Sequence, residues 1–211
     1  RFSVDLNGDG LLAFEVAAAP PGARASNSGT IRAAGGTVLL STADAAAVVG
    51  GVVNMTGVIS ARAVEQRGGT VVLSGGTVSV AGNIDASGTV GGTVLIGGDW
   101  QGGGSLPRAE TTTVSAGASI NADSSGAGGT VVVWSDRATR MDGRISARRG
   151  RVETSSKGTL AVGRTAKVEA AAWLLDPRNV TIGNTTSGGA FDNGSPNVYT
   201  PTADDATVDA A

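Results

Sequence analysis

Three sets of side chains in this sequence have types and spacings that could support chemistry. Asp5-Leu6-Asn7-Gly8-Asp9-Gly10 carries the D-x-N-x-D-G spacing with which a loop turns the oxygens of Asp5, Asn7 and Asp9 toward a calcium ion. The twelfth position, where such loops place a bidentate Glu, is Val16, so a Gly-rich turn between strands is favoured and calcium is a weak candidate. Arg137, Arg140, Arg144, Arg148, Arg149 and Arg151 put six guanidinium groups in fifteen residues. Forked donors of this kind suit sulfated or carboxylated glycans, and Arg140, Arg144 and Arg148 are the candidates. The competing reading is a solvated face partly neutralised by Asp136, Asp142 and Glu153. Trp100, in a Gly-rich loop, could stack on a sugar ring, whereas Trp134 and Trp173 follow apolar runs and read as packing residues or ladder caps.

Composition removes most other chemistry. With no His and no Cys, the usual zinc and transition-metal sites and any Ser/His or Cys/His nucleophile pair are excluded, and no cofactor is expected. A polysaccharide lyase or hydrolase would need two converging carboxylates, or Asp with Arg and calcium, on one face. Asp85 and Asn121 hold equivalent outward positions, but Arg32, Ser60, Arg144 and Ser146 near the same row break any acidic cluster, so the chain reads as not an enzyme. A net charge of −2 gives no field toward nucleic acid. No apolar run approaches the roughly 18 residues of a transmembrane segment. The opening Arg1-Phe2-Ser3-Val4-Asp5 is neither signal peptide nor initiator, so the chain reads as cut from a longer one.

The elements that carry these side chains follow from a repeat. Only 3% of the residues are aromatic and 34 are Gly, so a thin core of Val, Ile and Ala is expected rather than one filled by Phe, Trp and Leu. A G-x-I-x-A signature recurs with Ile31, Ile59, Ile84, Ile120, Ile145 and, weakly, Val168 as anchors, spaced 23 to 36 residues apart. In each copy the β-branched residue and the Ala two places later share a face. A second signature, Gly-Gly-Thr-Val plus an apolar run, begins at Gly35, Gly68, Gly91 and Gly128, with an extra copy at Gly75 and a degraded one at Arg149. Its glycines are expected to accept the positive φ of a sharp corner.

Two motifs recurring in fixed order at this period predict an all-β fold, a right-handed parallel β-helix (solenoid) of about six coils. The alternative with similar short strands is an antiparallel sandwich. Residues 1–182 read as the β-helix segment and 183–211, rich in Gly, Ser, Asn and Pro, as a loop or linker leading to a further coil. Excursions are expected as a short helix within Ser41 to Gly51 and a flexible insertion at Gly97 to Arg108.

The chain resembles the filamentous-haemagglutinin-like two-partner-secretion exoproteins, large bacterial surface adhesins. The resemblance rests on Asp5 to Leu12, Gly29 to Ala33, Val53 to Ile59, Gly92 to Gly102, Val132 to Asp136 and Trp173 to Ile182, and runs from about residue 3 to 209. Gly97-Gly98-Asp99-Trp100-Gln101-Gly102 and Trp173-Leu174-Leu175-Asp176-Pro177 are its specific stretches. It implies a β-helical shaft secreted through an outer-membrane pore partner and displayed at the bacterial cell surface, where the parent protein meets surface glycans or proteins in adhesion or biofilm. The family's secretion domain with its Asn-Pro-Asn-type motif is missing here, which implies a place in the shaft. The absence of Cys suits a chain exported unfolded. Exposed coil ends leave end-to-end self-association open.

Overall fold

The computed structural model describes the backbone of residues 2–5, 24–41, 52–62, 68–176, 180–183, 189–191, 199–201 and 206–209, and the side chains of 24–41, 52–62 and 68–176. Within these residues the chain winds through six coils of three strand segments each. The first coil holds β2 (Arg24–Asn27), β3 (Thr30–Arg32) and β4 (Thr37–Ser41), and the second β5 (Val52–Met55), β6 (Val58–Ser60) and β7 (Thr70–Ser74). The third holds β8 (Thr77–Val80), β9 (Asn83–Asp85) and β10 (Thr93–Ile96), and the fourth β11 (Thr111–Val114), β12 (Ser119–Asn121) and β13 (Thr130–Val133). In the last two coils β14 (Ala138–Met141) and β16 (Thr159–Val162) are followed by long strands, β15 (Arg144–Ser155) and β17 (Lys167–Asp176), each running along two faces. A register shift between Ala147 and Arg151 marks the corner in β15.

Each strand pairs in parallel with the equivalent strand one coil away. Strands β2, β5, β8, β11, β14 and β16 form one sheet, while the other two faces join through β15 and β17. This parallel stacking rules out the sandwich, in which neighbouring strands alternate in direction. Among the described residues, the one antiparallel partner of a coil strand is β1 (Phe2–Asp5), which lies along β4 with Phe2 opposite Leu40 and Asp5 opposite Thr37.

The G-x-I-x-A anchors stack as predicted: Ile31 faces Ile59, Ile59 faces Ile84, Ile84 faces Ile120, Ile120 faces Ile145, and Ile145 faces Val168. Ile59, Ile84, Ile120 and Ile145, with Ala61, Ala86, Ala122 and Ala147 beside them, are fully buried. Each buried Ile contributes about 1.5–3 kcal/mol by leaving water. Small residues suffice because three faces enclose a narrow interior, and parallel strands about 4.8 Å apart let each side chain pack on its copies above and below.

The structure corrects two parts of the sequence reading. The extra copy at Gly75 is not a second strand on the Gly-Gly-Thr-Val face, because Thr77–Val80 belongs to the other sheet and starts a new coil. The glycine pairs mostly do not serve positive φ either. Among the described pair glycines only Gly35, at φ 65°, is left-handed. The rest reflect close approach of coils: a Cβ on Gly129 would sit 2.5 Å from the carbonyl oxygens of both Gly92 and Ala122.

The expected helix over Ser41 to Gly51 lies outside the described residues apart from Ser41, which ends β4, and so do Asn7 and Asp9. Asp5 ends β1. Beyond residue 176, β18 (Val180–Gly183) runs parallel to β21 (Ala206–Asp209) and β19 (Gly189–Phe191) antiparallel to β20 (Tyr199–Pro201), so the segment expected as a linker contains regular backbone.

Candidate functional site

The Gly97 to Arg108 excursion leaves the wall after β10 and returns before β11. It was expected to be flexible, but the structure braces it at four points. The Asp99 carboxylate accepts the Leu106 N–H at 3.0 Å, and Arg108 donates to the Gly102 carbonyl at 3.1 Å. The Gln101 N–H donates to Glu153 Oε2 at 2.8 Å, and the Arg151 guanidinium lies 4.5 Å from the centre of the Trp100 ring. Trp100 opens a 3₁₀ turn, Trp100–Gly102, in which Gln101 adopts the left-handed φ of 54°. Gly98 and Gly102 are glycines because Trp134 lies against them: a Cβ on Gly98 would meet its Cδ1 at 2.7 Å, and one on Gly102 its Cε2 at 2.7 Å.

Trp134 is therefore a packing residue, 4% exposed beneath the loop. Trp173 lies opposite Val152 at the last described coil, 39% exposed, with its Nε1 donating to Thr154 Oγ1 at 2.9 Å. Trp100 does not stand free: one side of its ring is taken by Arg151.

Five of the six arginines of the run have side-chain partners, though not all those expected, and among the described residues Arg137 has none. Arg140 binds Asp142 at 2.5 Å. Arg144 and Arg148 converge on Glu169 at 2.5 and 2.9 Å, and Arg148 also approaches Asp123 at 3.8 Å. Arg149 donates to the Ser125 carbonyl, and Arg151 donates to Thr130 Oγ1 at 3.2 Å. Hydrogen bonds from Arg148 and then Arg144 hold the Glu169 carboxyl below the ordinary glutamate value. Asp136 serves Arg108 at 3.0 Å and Lys157 at 3.2 Å rather than the run. Burial pushes its carboxyl up, but the hydrogen bonds from Arg108 and Lys157 outweigh that and leave it below its ordinary value.

Glu153 makes no salt bridge with that face, although the Arg151 guanidinium attracts it. It is fully buried and its Oε1 has no hydrogen-bond partner. Burial raises its pKa above the ordinary glutamate value, with the Gln101 N–H, the Ser155 side chain and Arg151 pulling the other way and Asp176 adding to the rise. The sequence carried a signal for this. The outward column of this face runs Leu39, Val72, Leu95, Val132, Glu153 and Leu174, so Glu153 is the acidic residue in an apolar ladder.

Asp85 and Asn121 are register neighbours, as the repeat predicted, in a row that continues to Ser60 and Ser146. An open groove of about 460 Å³ lies beside them, lined by Arg62, Ser87, Thr89, Asp123, Ser124 and Ser125 among others. Its carboxylates are engaged: Asp85 caps Ser87 and pairs with Arg62 at 3.6 Å, and Asp123 accepts from Ser146 at 2.7 Å. Among the described residues no group of three or more Asp or Glu is placed to hold a metal ion, and no helix is long and apolar enough to cross a membrane.

Stacked parallel coils with a braced loop and a paired charge face define a β-solenoid scaffold. No protein-family model and no curated protein sequence matches the chain. Among solved structures it is similar to the HMW1 secretion domain from Haemophilus influenzae, with 31% identity and a TM-score of 0.63. The match covers 78% of this chain and 52% of that one, so the chain spans about half of the structure it resembles. The resemblance to filamentous-haemagglutinin-like two-partner-secretion exoproteins is borne out at the level of fold and identity. The matched structure is itself a secretion domain, whereas the missing Asn-Pro-Asn-type motif had implied a place after it.

Proposed function

We propose that this chain is a structural segment of a large two-partner-secretion exoprotein, a rigid stalk that carries the parent's binding regions outward for cell adhesion or biofilm. The supporting observation is the unbroken inward ladder from Ile31 to Val168, which gives every coil the same axis. At about 4.8 Å per coil the six coils extend on the order of 30 Å. The role is mechanical rather than enzymatic. In this reading the parent is secreted through an outer-membrane pore partner and displayed at the bacterial cell surface, with surface glycans or proteins met elsewhere along it.

Binding of glycans by the segment itself, through Trp100, Arg140, Arg144 and Arg148, gains no support from geometry that already occupies these side chains. A glycan array with the isolated chain separates the two roles, and a stalk gives no specific signal. Specific binding lost in Trp100→Ala or Arg148→Ala would replace the structural reading. In the parent, exchanging these coils for an unrelated β-helix of equal height should preserve adhesion.

A further inference from the structure

We propose that Glu153 is a proton-controlled latch for the Gly97 to Arg108 loop, holding it against the shaft while the carboxyl is protonated and releasing it as the carboxyl ionises. The geometry is that of a clasp. Gln101, at the loop's tip, is turned into the left-handed region, and its N–H meets Glu153 Oε2 at 2.8 Å. The same tip places Gly102 on the indole of Trp134.

The closed loop leaves a polar deficit. Among the described residues the buried side-chain atoms without a hydrogen-bond partner are Glu153 Oε1, Trp134 Nε1 and Ser155 Oγ. All three belong to adjoining positions: Val133 pairs with Thr154, Trp134 and Ser155 follow directly, and Glu153 precedes Thr154. A neutral carboxyl tolerates such a site far better than a carboxylate does, because an ion with one oxygen deprived of donors loses most of its hydration energy. Lifting the loop would return water to Oε1 and restore that energy.

The groups around Glu153 do not cancel this effect: the Ser155 side chain, though it makes no hydrogen bond of ordinary geometry, lies near enough to favour the carboxylate, and burial outweighs it. On its own strand Arg151 attracts it, but that guanidinium is stacked on Trp100 and bonded to Thr130. Asp176, on β17, repels it. From the loop, Asp99 is bound to the Leu106 N–H and Arg108 to Asp136 and Gly102. The facing positions on β13 and β17 are Val132 and Leu174, which carry no charge.

The sign follows from the direction of the shift. The closed form holds the proton more tightly than the open form, so the contribution to closure is complete below the open-form pKa. It is lost as pH rises through the closed-form value.

Amide hydrogen exchange on the whole chain tests this, with rates converted to protection factors so that the intrinsic pH dependence cancels. Protection at Gln101, Gly102 and Gly103 is expected to fall severalfold as pH is raised from acid to mildly alkaline, following the ionisation of a single carboxyl. The amides of Ile84 and Ile120 should stay constant. In Glu153→Gln, which keeps the acceptor oxygen and cannot ionise, loop protection should be independent of pH. Gln101→Pro, which deletes the donor and also forbids the left-handed φ found at that position, should leave the coils folded and the loop unprotected throughout. A pH-independent loop in the unmodified chain, a loop and coils that open together, or a pH response surviving in either variant would overturn the latch.

Discussion

Arg148 reaches across one coil to Glu169, Nε to Oε2 at 2.9 Å, while its backbone N–H is held by Asp123 at 2.7 Å. One arginine thus ties three successive coils, since Asp123 follows β12, Arg148 lies in β15 and Glu169 lies in β17. A guanidinium so engaged is spent on the shaft's own charge balance.

Glu169→Gln should accordingly lower the thermal midpoint slightly in low salt and not at all in high salt, because the pair is open to solvent and screened. The carboxyl's folded pKa is lowered, so its stabilisation is present above the unfolded pKa and lost as pH falls through the folded value. Melting curves of the two proteins should converge on acidification. A difference that persists at low pH would show that the glutamate acts by packing.

Gly129→Ala should be far more damaging than its one added methyl suggests. The new Cβ meets the Gly92 carbonyl oxygen of the neighbouring coil and the Ala122 carbonyl oxygen of its own coil, both at 2.5 Å, and the Gly92 oxygen is held in the ladder by the Thr130 N–H. A loss of about 3 kcal/mol or more is expected in denaturant unfolding, at the upper end of overpacking penalties. Gly117, with nothing within 4 Å of its added Cβ, is the control, and Gly117→Ala should be close to neutral.

Ile120→Ala leaves a hole between Ile84 and Ile145 in the middle of the ladder. Such a truncation costs about 2–5 kcal/mol, set by how far the neighbours relax. Because each coil touches only the next, protection should fall in both neighbouring coils before it falls at Ile59, which hydrogen exchange resolves residue by residue.

Arg149 occupies the place that Gly35 holds in the first coil, and both are left-handed, at φ 63° and 65°. An L side chain there costs about 1 kcal/mol, offset in part by the bond to the Ser125 carbonyl. Arg149→Gly should therefore raise stability by a fraction of that amount, visible as an upward shift of the urea midpoint with an unchanged slope.

The buried face of the G-x-I-x-A strands was legible because one β-branched residue and one Ala recur at fixed places, and packing on a copy of itself forces that sameness. The third face was not legible. Its inward residues are Ala25 and Asn27, Val53 and Met55, Val78 and Val80, Thr112 and Val114, then Thr139 and Met141, with no constant type. Three of these are polar and draw on tertiary contacts: Asn27 donates to the Val58 carbonyl at 3.4 Å, Thr112 to the Trp134 carbonyl at 2.6 Å and Thr139 to that of Ser155 at 2.8 Å. Charge partners were misjudged for a similar reason. Nearness in sequence suggested Asp136 and Glu153, whereas the solenoid brings Glu169 to Arg148 from 21 residues away.

The ladders that make each strand the neighbour of its own copy also fix the direction of strength. Interstrand hydrogen bonds in a parallel stack run along the solenoid axis, so tension applied end to end is shared by all three faces at once. A pull on one terminus instead opens a single rung at a time. Such a rod resists stretching between two anchored ends, yet can be unzipped coil by coil from a free one.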